Sequence, residues 1–494
     1  MTDNREHARN AVDTFLSPHR PLGAWIDNEW RATAGAGSFD VLDPATDETI
    51  TTVSAVTPGE ARKAVDAAAA ALPTWAQRPP RARAEVLRAA YELMQQHRDE
   101  LAALISWENG KAIADARAEV TYAAEFFRWY SEEAVRLTGT IGPAPGGGNH
   151  LVTALNPVGV AALITPWNFP AAMATRKIGP ALAAGCTAVL KPAAQTPLTA
   201  LALACLLERA GAPPGVVNVI PTSDPGPVVS ALLDDARVRK ISFTGSTAVG
   251  RRLLAQAADR VLASSMELGG NAPFIVCADA DLDAALDGAM IAKMRNGGQA
   301  CTAANRFYVH DDIADEFVAG LARRLQDLVI GPGLDEYTDF GPLIDKRARD
   351  NIRALVDSTL AAGATLVTGE TENQGKGWYI APTILDHVPT DAAILHTEIF
   401  GPVAPIVRFT NERDAVTQAN DTEYGLASYV YARDVSKAIR LGQRLETGMV
   451  GINRGLLSDP AAPFGGAKQS GLGREGGHEG VLDYTETQYL AVAW

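Results

Sequence analysis

An α/β protein built on parallel sheets with helices on both faces is the fold class this sequence predicts. Three observations carry that prediction. Runs rich in β-branched residues alternate with helical segments from residue 158 onward, a second alternating region begins near residue 272, and turns containing Pro or Gly follow several of the strand-like runs.

The first region opens with a strand at 158–164, a helix at 171–184, a strand at 187–190 and a helix at 197–210. Strand and helix pairs follow at 216–220 with 227–233, and at 240–243 with 247–258. In the second region, strands are expected at 274–276 and 307–309 and helices at 282–294 and 313–328, with further elements continuing to about residue 445. Upstream, residues 60–136 are rich in Ala, Arg and Glu, and apolar residues recur at helical spacing in 61–71, 83–96 and 118–135. The segment Pro143-Ala-Pro-Gly-Gly-Gly-Asn149 breaks that pattern and predicts a turn or arm. The tail, 484–494, is β-prone and reads as an edge strand covered by another subunit.

A chain of 494 residues exceeds one typical domain, and its length suggests roughly three units. With 47% hydrophobic and 21% charged residues it has the balance of an ordinary globular protein. Its net charge of −14 disfavours nucleic acid and anionic membranes as general partners. Four cysteines, Cys186, Cys205, Cys277 and Cys301, show no CxxC spacing, which argues against a disulfide framework or structural metal. The first 20 residues lack the apolar core of a secretory signal and contain acids that a transit peptide avoids, so the expected location is cytoplasmic.

Cys301 stands in Gly297-Gly-Gln-Ala-Cys-Thr302, where small neighbours leave a thiol uncrowded; the alternative is a buried structural thiol. Glu267 precedes Leu-Gly-Gly-Asn271, and a partly buried carboxylate there suits water activation, unless it merely bonds nearby backbone. Asn168, in Pro166-Trp-Asn-Phe-Pro170, has an amide suited to a developing oxyanion, or else bonds its own turn. Phe243-Thr-Gly-Ser-Thr-Ala-Val-Gly250 joins a strand to a helix, so backbone N–H groups at Gly245 and Ser246 suit a phosphate; the same residues also serve as an ordinary helix cap. It is neither a Walker A loop nor GxGxxG.

Together with Leu190-Lys-Pro192, Glu398-Ile-Phe-Gly-Pro402 and Pro463-Phe-Gly-Gly466, these pieces resemble the aldehyde dehydrogenase superfamily from about residue 25 to 489. The resemblance implies a Rossmann-like cofactor domain at 1–136 and 156–267, a catalytic domain at 268–445, a return to the cofactor domain with active-site lining at 446–480, and a β oligomerisation arm at 137–155 and 481–494. It implies a homodimer or homotetramer, no catalytic metal, and a thioester on Cys301. In that chemistry Asn168 and the Cys301 N–H hold the oxyanion and Glu267 activates water. It assigns Thr165, Pro166, Trp167, Lys191, Ala194, Gly245, Ser246, Leu268, Glu398 and Phe400 to NADP⁺ or NAD⁺, with Lys191 and Glu398 on ribose hydroxyls.

Within the superfamily the sequence is most similar to succinate-semialdehyde dehydrogenases, through Phe169-Pro-Ala-Ala-Met-Ala-Thr-Arg-Lys177, Arg295-Asn-Gly-Gly-Gln-Ala-Cys301 and the 463–476 tail. That resemblance implies a carboxylated small aldehyde bound by Arg176, Arg295 and Ser458, whose alternative role is structural pairing or capping. Glutarate semialdehyde and neutral aliphatic aldehydes are the rival substrates, and a cofactor-independent thiol esterase is the rival chemistry. Ala303 replaces the second Cys of some relatives, so a disulfide lock on the nucleophile is not expected. Ala194 stands where many NAD-preferring relatives have Glu. An uncharged side chain does not repel a 2′-phosphate, which favours NADP⁺ slightly.

Overall fold

The computed structural model describes residues 4–16, 22–31, 35, 37–369 and 376–493; Trp494, part of the expected tail strand, lies outside them. Helices occupy Pro58–Gln77, Pro80–Gln96, Arg98–Asn109 and Ile113–Glu133, so the segment from 60 to 136 is helical as expected, with one more break than its periodicity indicated. The first helix starts on a capping box: Thr57 accepts from the Glu60 N–H while Glu60 accepts from the Thr57 N–H.

Five parallel strands form the centre of an eight-stranded sheet, in the order Val217–Val219, Thr187–Lys191, Val160–Ile164, Val238–Thr244 and Ala263–Glu267. The central three are rich in Val, Ile, Leu and Ala and buried almost throughout, as strands covered on both faces must be. Connectivity reverses at Val160–Ile164, from which the chain first moves one way through Thr187–Lys191 and later returns to the other side at Val238–Thr244. The carboxyl ends flanking that reversal carry the 165–169 and 245–246 turns, where open α/β sheets bind ligands. Two short antiparallel pieces extend the sheet: Ala24–Ile26 with Glu29–Arg31 at one edge, and Gly471–Leu472 at the other. Neither was evident from periodicity, because strands of two or three residues leave no alternation to count.

A second sheet of seven strands contains Ala272–Val276, Ala304–His310, Val403–Phe409, Ala427–Tyr431 and Met449–Ile452, with Thr383–Asp386 and the antiparallel Thr365–Thr368 beyond Val403–Phe409. The expected division at residue 445 falls one strand short. Met449–Ile452 pairs in parallel with Ala427–Tyr431 and belongs to the second sheet, and the chain crosses back only at Gly471–Leu472, which pairs with Ala263–Glu267. Residues 268–271 are the short link between the sheets, and they follow Glu267 directly.

The third sheet projects as an antiparallel arm. Thr485–Val492 pairs along its whole length with His150–Pro157, which in turn pairs with Ile141–Pro143. The Pro/Gly-rich segment is the turn between these last two strands, as its composition predicts. Among the described residues no helix is long and apolar enough to cross a membrane.

Candidate active site

A cavity of about 240 Å³ opens between the two large sheets. The 166–169 turn lines one side, Gly245, Ser246 and Leu268 a second, and Arg295 with residues 300–302 a third. Glu398, Phe400, Ser458 and Phe464 complete the wall, together with Tyr122, Met173 and Arg176. Twelve of the sequence-derived site residues therefore converge here: Cys301, Asn168, Pro166, Trp167, Gly245, Ser246, Leu268, Glu398, Phe400, Arg176, Arg295 and Ser458. Thr165, Lys191, Ala194 and Glu267 do not line it.

Cys301 is brought there by a run of left-handed backbone. The helix Leu282–Met294 ends at Arg295, and Asn296 (φ 51°), Gly297 (φ 64°) and Gly298 (φ 72°) then turn the chain back toward the link between the sheets. Gly298 is further constrained, because a Cβ there would lie 2.4 Å from the Gly401 carbonyl oxygen. Of the four cysteines only Cys301 is partly exposed; Cys186, Cys205 and Cys277 are buried. Access, not acidity, singles it out. Burial pushes the Cys301 thiol up to about 12, Glu267 and Glu398 add to the rise, and Arg176 and Arg295 oppose it. The resting sulfur is therefore a thiol that needs a base.

Asn168 is buried, and its side-chain Nδ2 donates to the Gln299 carbonyl oxygen at 3.0 Å. An amide has two N–H groups, so one remains for the cavity. The Cys301 backbone N–H has no acceptor among the described residues. Two unsatisfied N–H donors, from Asn168 and from Cys301 itself, thus belong to residues that line the same cavity, and an oxyanion needs such donors.

Glu267 ends the strand Ala263–Glu267 and is buried, and both of its carboxylate oxygens lack a hydrogen-bond partner. Burial raises its pKa well above the ordinary carboxylate range, and the nearby Glu475 charge raises it further, against Arg176 and Lys177. Glu475 behaves oppositely. Burial works to raise its pKa, but Lys177 and Arg176, both paired with it, outweigh burial and hold it below the usual range. The environments push two buried carboxyls apart, so that Glu267 holds a proton far more readily than Glu475 does.

The same cavity holds two cationic groups, Arg176 and Arg295. Arg176 meets the expectation only in part: its Nε lies 2.5 Å from Glu475, and its guanidinium stacks 4.2 Å from the centre of the Phe464 ring. Arg295 lies over the Phe169 ring at 5.2 Å and makes no hydrogen bond or ion pair among the described residues. Tyr122, which sequence reasoning missed, lines the same cavity with a buried hydroxyl beside Arg176 and Ser458. It sits in the helix Ile113–Glu133 and so carried no loop signature.

The residues assigned to a dinucleotide fit one. Ser246 forms no side-chain cap on the helix Thr247–Ala258, which leaves that helix's first N–H groups open toward a phosphate, and the neighbouring Thr244 Oγ1 is buried without a partner. Lys191 is buried at a strand end, and burial alone lowers its pKa to about 8. Glu398, raised to about 7 by burial, accepts from the Gly270 N–H at 3.0 Å. Trp167 and Phe400 meet edge to face at 5.4 Å beside it. No cluster of three or more potential metal ligands occurs among the described residues.

Known proteins place the whole chain. It matches the aldehyde dehydrogenase family over residues 30–490. It is 52% identical to the succinate-semialdehyde dehydrogenase of Paenarthrobacter nicotinovorans, covering 90% of this chain and 99% of that protein. It is 48% identical to the glutarate-semialdehyde dehydrogenase of Pseudomonas putida, covering 95% and 97%. A crystal structure of an E. coli NADP-dependent enzyme superposes with a TM-score of 0.94 at 48% identity, covering 96% of this chain and 98% of that one. With a family match over most of its length and relatives about half identical to it along nearly their whole chains, the chain belongs to the aldehyde dehydrogenase family.

Proposed function

We propose that this enzyme oxidises succinate semialdehyde to succinate with NADP⁺ or NAD⁺. The observation that carries the proposal is the presence, in one cavity, of the accessible Cys301 together with Arg295, Arg176, Ser458 and Tyr122, groups able to bind a carboxylate. Cys301 gives up its proton to solvent water, and its sulfur attacks the aldehyde carbon, whose C=O π bond opens to an oxyanion. The Asn168 amide and the Cys301 N–H hold the resulting oxyanion, each such donor being worth about 3 kcal/mol in the transition state. The bound nicotinamide supplies a hydride acceptor. Glu267 then takes a proton from water, which attacks the thioester and releases the acid. Arg295 binds the carboxylate of the substrate, while Arg176, already shared with Glu475, adds a weaker field.

Lys191 and Glu398 hold ribose hydroxyls, Gly245 and Ser246 face the pyrophosphate, and Thr165, Pro166, Trp167, Leu268 and Phe400 shape the nicotinamide side. Ala194 places no carboxylate near a 2′-phosphate, which favours NADP⁺ over NAD⁺. The arm of Ile141–Pro143, His150–Pro157 and Thr485–Val492 assembles a homodimer or homotetramer, a reading supported by Ile141 at 67% and Tyr489 at 55% exposure. Four unlinked thiols support a cytoplasmic location.

Reduction of NADP⁺ and NAD⁺ with succinate semialdehyde and with butyraldehyde tests the proposal. A strong preference for the carboxylated substrate supports it, and equal kcat/KM for the two aldehydes contradicts it. Glutarate semialdehyde is the second reading, favoured by the similarity to the Pseudomonas putida enzyme named for it. One methylene separates the two acids, so their discrimination is expected to stay within roughly 10- to 200-fold.

A further inference from the structure

Three charged residues at the start of the helix Ile113–Glu133 stand outside the cavity yet hold both of its donor-bearing loops. Asp115 and Glu119 are four residues apart on that helix and so share one face, and Lys111 lies two residues before its first position. Lys111 Nζ donates to the Asn168 carbonyl oxygen at 2.8 Å and pairs with Glu119 at 2.5 Å, both side chains being wholly buried. The same Nζ lies 4.1 Å from the centre of the Phe169 ring. Glu119 accepts from the N–H groups of Ala171 at 2.9 Å and Ala172 at 3.3 Å, thereby capping the helix Pro170–Ala184, whose Phe169 supplies no cap of its own. Asp115 accepts from the Asn296 N–H at 2.7 Å.

The two loops then close on each other. Asn296 Nδ2 donates to the Asn168 carbonyl oxygen at 2.8 Å, and Asn168 Nδ2 donates to the Gln299 carbonyl oxygen at 3.0 Å. The Asn168 carbonyl is the hub, receiving Lys111 from below and Asn296 from the nucleophile loop. A buried ion pair is a poor source of net stability, since desolvation offsets its attraction. Its placement here fixes a distance. None of the three side chains lines the cavity, so none touches substrate.

We infer that Lys111, Asp115 and Glu119 are positioning residues that set the separation of the Asn168 amide from the Cys301 N–H, and with it the geometry of the oxyanion site. The inference rests on the reading of Asn168 as an oxyanion donor. A displacement of about 1 Å at such a site costs on the order of 100-fold in rate.

Double-mutant cycles test it. Lys111→Met is expected to lower kcat by about 10- to 100-fold while the aldehyde KM moves by less than about threefold. Alkylation of Cys301 by iodoacetamide, which forms no oxyanion, keeps its wild-type rate. Lys111→Met combined with Asn168→Ala is expected to be no slower than Asn168→Ala alone. Should Lys111→Met fail to fold, Asp115→Ala, at the least buried of the three positions, gives the same cycle. Losses that multiply in the double variant, or wild-type kcat in both single variants, overturn the inference. A wild-type kcat in Asn168→Ala overturns instead the role of Asn168, and the inference falls with it.

Discussion

Gly270 and Cys301 are packed so closely that a Cβ at Gly270 would lie 2.2 Å from the Cys301 carbonyl oxygen. The link between the two sheets thus forms the backing of the nucleophile loop. Gly270→Ala must push that loop away, and it is expected to lower kcat by about 100-fold and stability by about 1–3 kcal/mol. Steady-state kinetics and a melting curve check both. A variant with full activity would show that the loop yields freely.

Arg295 is the cation lining the cavity that has no competing carboxylate, and Tyr122 contributes a hydroxyl. Losing a charge-assisted hydrogen bond costs about 1.5–3 kcal/mol. Arg295→Ala is therefore expected to raise the KM of succinate semialdehyde by about 10- to 100-fold and that of butyraldehyde hardly at all. Tyr122→Phe should act in the same sense but less. Arg176→Ala is expected to damage both substrates, because it also releases Glu475 beside Glu267.

Glu267→Gln removes the group that activates water while leaving the thiol and both oxyanion donors in place. Rapid-mixing kinetics should then show one equivalent of reduced nucleotide per site followed by slow turnover. In the wild type the pKa of that carboxyl is raised by burial and by Glu475, so it ionises at higher pH than an ordinary Glu. The deacylation rate is expected to climb with pH through a value well above an ordinary Glu and to lose that climb in the variant.

Cofactor affinity has its own pH window. Glu398, raised to about 7 by burial, is an anion only above that value, and Lys191, lowered to about 8 by burial, is a cation only below it. Dinucleotide binding should therefore be tightest between about 7 and 8 and weaken on either side. Calorimetric titration of NADP⁺ across pH checks the profile, and Glu398→Gln should flatten its acid limb. An unchanged acid limb in that variant would assign it elsewhere.

Loop chemistry was legible in the sequence, and packing partners were not. Asn168 and Gly245 sit in turns between a strand and a helix, and Cys301 and Glu398 in turns between a short helical turn and a strand, where Gly, Pro and Asn mark the backbone. Tyr122, Lys111 and Glu119 belong to or adjoin an amphipathic helix, where a residue facing the site looks like any core position. The separation of 298 residues between Lys177 and Glu475 hides a buried pair that no spacing rule could find. Arg176 shows the cost of that blindness: its motif pointed to a substrate carboxylate, whereas its Nε is already turned to Glu475.

The most direct test of the account is the mass of the Cys301 peptide from Glu267→Gln enzyme quenched after mixing with succinate semialdehyde and NADP⁺. The account predicts one succinyl group on that sulfur, formed in step with nucleotide reduction. Nucleotide reduced while the peptide stays unmodified, or turnover retained by Cys301→Ala, would contradict it.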